Sequence, residues 1–212
     1  MLKPLLILTG FFHLLFVNPA RASSEKGFQG WCLDPASVQV VWTAFKTTQK
    51  IGVNGNFNTL KVDAPARGTG TLRQLLNSLK AEIRLEGAAS LSTGNPGRDQ
   101  TLFDHFFKYL KGPIQIQGRI HGAKGNEEGG DLKLRLTLNG KSKSIPMTWS
   151  RTPEGLITAK GALDVLELGL KTAFDDLHKT CEALHTGPDG VSKTWSEVAL
   201  QVQAKLIPGC GK

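Results

Sequence analysis

The 212-residue sequence predicts an all-β fold, an eight-stranded antiparallel up-and-down barrel with short capping helices. Three observations carry that prediction. Apolar residues take alternate positions in seven separate segments, short turn sequences join most of those segments, and only three stretches show helical spacing.

The chain opens with Lys3, an almost uncharged apolar run from Leu5 to Val17, and Asn18-Pro19-Ala20-Arg21-Ala22. A positive end, an apolar run too short to span a bilayer and small residues in A-x-A spacing describe a secretory signal peptide over residues 1–22, cleaved after Ala22. An uncleaved anchor is the alternative. Cys32 comes ten positions after Ala22, too far for a lipid-modified N-terminus. Cleavage leaves 190 residues and a charge of +6 instead of +8, because Lys3 and Arg21 depart with no acid. Residues 23–212 read as one domain, without internal repeats or a linker-like segment. The basic residues are scattered and alternate with apolar ones, as in Leu132-Lys133-Leu134-Arg135-Leu136. That is the pattern of a solvated strand face and excludes a nucleic-acid footprint, while leaving room for transient contact with anionic lipid headgroups.

The first predicted strand, Val38 to Phe45, is apolar on both faces over part of its length. Seven further strands alternate: Ile51, Val53, Gly55 and Phe57; Ile83, Leu85, Gly87 and Ala89; Ile114, Ile116, Gly118 and Ile120; Leu132 to Leu138; Ile145, Met147 and Trp149; Ile157, Ala159, Gly161 and Leu163; Val198, Leu200 and Val202. Asn54-Gly55-Asn56, Asn139-Gly140-Lys141 and Pro153-Glu154-Gly155 have turn chemistry, so neighbouring strands pair as hairpins. Such a sheet can form a sandwich or a barrel. Closure also removes exposed edges, and glycines on the inward face suit sharp bends or a close approach to the backbone.

Helical spacing marks Thr71 to Ser78, Asp99 to Lys111 and Leu168 to Thr186. In the second, Phe103, Phe106, Phe107 and Leu110 form one aromatic face able to close a barrel mouth, either as a plug completing the core or over a cavity. An eight-stranded barrel can be filled by side chains or hold one small ligand, and the small inward residues favour a cavity.

Three cysteines in an exported chain allow one disulfide. If the first and last strands lie side by side and antiparallel, Cys32 meets Cys210; a Cys32 to Cys181 bridge is the competitor. Cys181 continues the apolar stripe Leu170, Phe174, Leu177, Cys181, Leu184 and reads as a buried thiol.

Motifs for chemistry are weak. His178, Cys181 and His185 share a helical face at a spacing that could ligate zinc or copper, but no fourth ligand is apparent, and the expectation is no metal and no cofactor. Gly187 to Thr194 resembles a phosphate-binding loop, yet Ser192 replaces its last glycine and the segment joins a helix to a strand, the reverse of the required order. No nucleophile has a base at a telling spacing, so the chain is not expected to be an enzyme.

Several segments together resemble a known family: Trp42-Thr43-Ala44-Phe45-Lys46-Thr47 with Val53, Gly55 and Phe57; Thr93-Gly94-Asn95 with Arg98-Asp99 and Phe106-Phe107; and Leu184-His185 with Gly190, Lys193-Thr194-Trp195 and Val198. In order and spacing they are similar to the YceI-like, lipocalin-like periplasmic proteins, over nearly the whole chain after residue 22. The glycine-rich loop Gly122 to Gly130 departs from that pattern. The resemblance implies a lipocalin-like barrel in the bacterial periplasm, whose tunnel holds a polyisoprenoid or a similar fatty amphiphile without catalysing its conversion. The residues expected to line it, chosen from the alternation alone, are Trp42, Val53, Phe57, Ile83, Leu85, Ile116, Leu134, Leu136, Met147, Trp149, Val198 and Leu200, with Phe103, Phe106 and Phe107 at the closure. Arg98, His185 and Lys193 are candidates to meet a polar headgroup. A metal protein or enzyme working through His178, Cys181 and His185, and a solid barrel acting through its surface, are the rival readings; whether the chain forms a homodimer is left open.

Overall fold

The computed structural model describes residues 30–65 and 70–210, so the expected leader over residues 1–22 lies outside the described residues. Eleven strands build one sheet: β1 (Trp31–Leu33), β2 (Gln39–Lys46), β3 (Ile51–Phe57), β4 (Leu60–Asp63), β5 (Lys80–Arg84), β6 (Leu91–Ser92), β7 (Gln115–His121), β8 (Gly129–Leu138), β9 (Lys141–Arg151), β10 (Leu156–Asp164) and β11 (Thr194–Pro208). Helices α1 (Leu72–Ser78), α2 (Pro96–His105), α3 (Lys171–Thr180) and α4 (Glu182–His185) lie between them.

The strands run β4-β5-β7-β8-β9-β10-β11-β2-β3-β6, all pairings antiparallel. Eight staves were expected, and the higher count arises because three staves are interrupted. β1 and β2 both pair with β11, on either side of a 3-10 turn at Pro35–Ser37. β3 runs into β4 across Asn58 and Thr59, and β5 reaches β6 through an excursion of the chain. Those last two staves meet along a seam, where Leu60 faces Ile83, Phe57 faces Leu91, and the Asn58 amide donates to the Ser90 carbonyl. The sheet thus curls until its two ends come together.

Alternation explains which face is buried. Ile145, Met147 and Trp149 of β9 are buried while Ser144, Pro146, Thr148 and Ser150 between them are exposed. Each large side chain removed from water in this way contributes roughly 1.5–3 kcal/mol. One end of the curled sheet is covered by α1, whose Leu72, Leu75 and Leu76 are almost fully buried. Its start is fixed by a capping box in which Thr71 and Gln74 satisfy each other's amides. The opposite end carries α2, α3 and α4. The Cys32–Cys210 disulfide, with a Cα separation of 6.1 Å, ties the first strand to the last, and Cys181 is a buried free thiol.

Four sequence expectations are corrected. Asn54-Gly55-Asn56 is not a turn; it sits inside β3 opposite Val41, Trp42 and Thr43. The turn falls at Thr47–Lys50, where Thr47 and Lys50 adopt positive φ. Gly55 is required for packing, because a Cβ there would stand 2.0 Å from Cζ2 of Trp42. Gly87 and Ala89 do not continue an inward strand face: β5 begins at Lys80 and leaves the ladder after Arg84, and Ala88–Ser90 form a 3-10 turn held by the Glu86 amide on the Ser90 hydroxyl. The second helix starts earlier than Asp99, with Asn95 accepting from the Arg98 amide and Pro96 at its first turn, and it ends at His105 because Phe106 (φ −131°, ψ −61°) leaves the helical region. The third is broken twice, by Gly169 in the left-handed region and at Cys181.

Candidate functional site

A cavity of about 250 Å³ runs inside the curled sheet, reaching from Leu76 and Leu79 at the α1 end to Phe174 and Leu177 of α3. Its wall draws on β2 to β5 and β7 to β11, and almost all of it is hydrocarbon. Water inside such an apolar space finds few hydrogen-bonding partners.

Of the residues chosen from alternation, Trp42, Phe57, Ile83, Phe106, Phe107, Ile116, Leu134, Leu136, Met147, Val198 and Leu200 stand on this wall. Four do not. Leu85 lies just past β5, where its amide bonds the Ile114 carbonyl, and its side chain is buried away from the cavity. Trp149 is buried beneath the loop Gly122 to Gly130, its indole N–H donating to the Lys124 carbonyl at 3.1 Å. Phe103 is half-buried on α2 with Nζ of Lys108 5.8 Å from its ring centre. Val53, opposite Ala44, is half-buried and off the wall, and nothing in the structure explains its departure.

The wall also includes Ile120, Leu132, Leu138, Ile157, Ala159 and Val202, all members of the alternating sets from which only some positions were chosen. Their signal was present in the sequence. Thr194 and Lys80, polar residues at the two ends of an apolar cavity, lie outside those apolar sets. Thr194 stands four residues before Val198, in phase with the inward Val198, Leu200 and Val202, and keeps that face although β11 slips register against β2 between Thr194 and Val198.

The aromatic closure is built by Phe57, Phe106 and Phe107. The Phe106 and Phe107 rings meet edge to face at 5.2 Å, and Phe107 meets Phe57 at 6.5 Å. Trp42 lies beside them, 6.3 Å from Phe57, its ring passing over Gly55.

His178, Cys181 and His185 do not converge on a common point, and no group of three or more metal-ligating side chains forms among the described residues. Both imidazoles turn instead to Thr194: Nδ1 of His178 lies 2.8 Å from its hydroxyl, and Nδ1 of His185 lies 2.6 Å from it. Burial, then the charges of Lys46 and His178, push the His185 pKa below its ordinary value, and burial pushes the Cys181 thiol up. Of the other headgroup candidates, Arg98 is exposed with Nη1 3.5 Å from the Thr93 carbonyl, and Lys193 sits 5.2 Å from the Trp195 ring centre. Neither faces the cavity. The glycine-rich loop is tied to the sheet: the Trp31 indole donates to Glu127 at 2.9 Å, and Arg151 stacks on the Trp31 ring at 4.9 Å.

Residues 31–206 match the model of the YceI-like domain. Among solved structures, a polyisoprenoid binding domain from Saccharophagus degradans implicated in plant cell wall breakdown aligns with a TM-score of 0.53 at 14% identity, covering 84% of this chain and 98% of that one. BcnA from Burkholderia cenocepacia aligns at 0.46 and 13% identity over 82% and 99% of the two chains. The Campylobacter jejuni YceI protein aligns at 0.46 and 22% identity over 76% and 88%. At 14% identity the first of these shows a likeness of fold alone. No curated protein is matched. The domain match spans nearly all of the described chain, and the protein belongs to the YceI-like family.

Proposed function

We propose that this protein is a non-catalytic carrier that encloses a polyisoprenoid or a similar fatty amphiphile in its barrel, working in the periplasm after removal of residues 1–22. The observation that carries the reading is the apolar cavity itself. Unoccupied, its hydrocarbon wall faces void or water that finds few hydrogen-bonding partners there, and either is unfavourable. A hydrocarbon chain removes that cost. Burying about fifteen carbons gives a gross gain near 12 kcal/mol, from which association and ordering of the chain take back several. The disulfide fits an oxidising compartment, and the family's polyisoprenoid-binding relative supports the ligand class.

The test is calorimetric titration of delipidated protein with farnesol. Saturable one-to-one binding with a negative heat-capacity change supports the carrier reading. A folded protein that takes up no farnesol, nor any longer polyprenol, refutes it.

A further inference from the structure

Among the described residues, three basic side chains gather at the α3–α4 end of the cavity without a carboxylate bonded to any of them. His178 and His185 share the Thr194 hydroxyl, and Lys46, the register partner of Thr194, reaches the Leu184 carbonyl at 3.2 Å. Nearby acids are engaged elsewhere: Glu197 with Lys50, Asp176 with His105, and Asp189 with the Thr48 hydroxyl. Glu182 is exposed on α4, the Cys181 thiol is buried at the α3–α4 junction, and Lys193 lies over Trp195.

Thr194 is the member of this cluster that stands on the cavity wall. A hydroxyl carries one proton and therefore donates to at most one of the two imidazoles; the other must donate its own Nδ1–H to the oxygen. When both rings are protonated, both Nδ1–H groups donate to Oγ1 of Thr194. The hydroxyl proton is then free to point into the cavity. Two imidazolium rings on one oxygen repel each other and Lys46, and an anion placed against Thr194 would offset that repulsion.

We infer that Lys46, His178, His185 and Thr194 form a docking site for the anionic head, carboxylate or phosphate, of the enclosed amphiphile. This rests on the carrier reading and specifies which amphiphiles it accepts. Anion binding and proton uptake by the two histidines are linked, so retention strengthens as the pH falls. Neutralisation or loss of the head releases the ligand to its hydrocarbon contacts alone.

The test compares farnesoic acid with farnesol on delipidated full-length protein at pH 6 and pH 8. The expected result is that the acid binds about tenfold or more tightly than the alcohol at pH 6, the range of a charge-assisted hydrogen bond, with the ratio shrinking at pH 8. In a His178→Gln, His185→Gln variant the acid-to-alcohol ratio falls close to one. In case that variant does not fold, the imidazole proton resonances of the unaltered protein give a second readout, with both histidines titrating at higher pH once farnesoic acid is bound. Equal affinity for acid and alcohol at both pH values overturns the inference and leaves the carrier reading standing. Failure to bind either overturns both. Inorganic phosphate or acetate binding alone as tightly as farnesoic acid identifies a free anion as the occupant and also overturns the inference.

Discussion

Filling the cavity with protein atoms should separate stability from ligand uptake. Ala159 of β10 is buried between Trp149 and Val202 in register, and its methyl group forms part of the wall. Ala159→Leu adds three carbons at that point and takes the space of about three ligand methylenes, a loss near 2.4 kcal/mol at roughly 0.8 kcal/mol each. Farnesol affinity should therefore fall about sixtyfold. The same carbons fill a void in the unliganded protein, so the delipidated variant should melt higher, by an amount worth up to about 2 kcal/mol. Calorimetric titration reads the first effect and a thermal scan of delipidated protein the second. A variant that is less stable yet binds farnesol unchanged would show that Ala159 packs against protein and that the space beside it is no ligand tunnel.

Gly55→Ala places a methyl group inside the Trp42 ring, and overpacking of this kind should cost about 1–3 kcal/mol in urea unfolding; a neutral result would mean that the ring does not cross β3. Replacing Cys32 and Cys210 by serine opens a bridge with a sequence separation of 178 and should lower stability by up to about 5 kcal/mol on the loop-entropy account, read as the shift between oxidised and serine forms. Because burial holds His185 below its unfolded value near 6.5, the unfolded chain binds more protons as the pH falls through that value. Unliganded protein should accordingly lose stability on acidification from just above 6.5 toward the folded pKa, and His185→Gln should flatten that window; an unchanged pH profile would contradict the burial.

How far the sequence discloses this molecule depends on which physical signal each part leaves. Period two is a property of the pleat, so β8, β9 and β10 are legible residue by residue, while an antiparallel closure favours Cys32 with Cys210 only if the first and last strands are neighbours, which the structure supplies against the competing Cys181. Interruptions leave no such mark. The excursion at Leu85 to Ser90 still alternates in sequence, and only the Ser90 hydroxyl and the seam against β3 show that the chain has left the ladder. Gly55 has the composition of a turn, and its role is set by an indole on the neighbouring strand. In the cavity, alternation identifies the inward face but not how far along each strand the void extends: Leu132 and Ile157 line it, and Trp149, inward on β9, lies beneath a loop instead. Thr194 shares the phase of Val198 and Leu200, but as a polar residue beyond the apolar run it carries no hydrophobic mark. The helical spacing of His178 and His185 places both on one face but does not name what they meet; their shared partner Thr194 lies on a strand that sequence spacing does not connect to them.

The central claim is that this barrel is built around an occupant that is not protein. Native mass spectrometry of the protein purified without detergent from the cell envelope, followed by mass analysis of its organic extract, tests it most directly. The account predicts one bound amphiphile per chain, its alkyl or prenyl mass recovered in the extract and lost from the delipidated protein. A correctly folded, disulfide-bonded chain that carries no additional mass, and gains none when offered polyprenols, would contradict it.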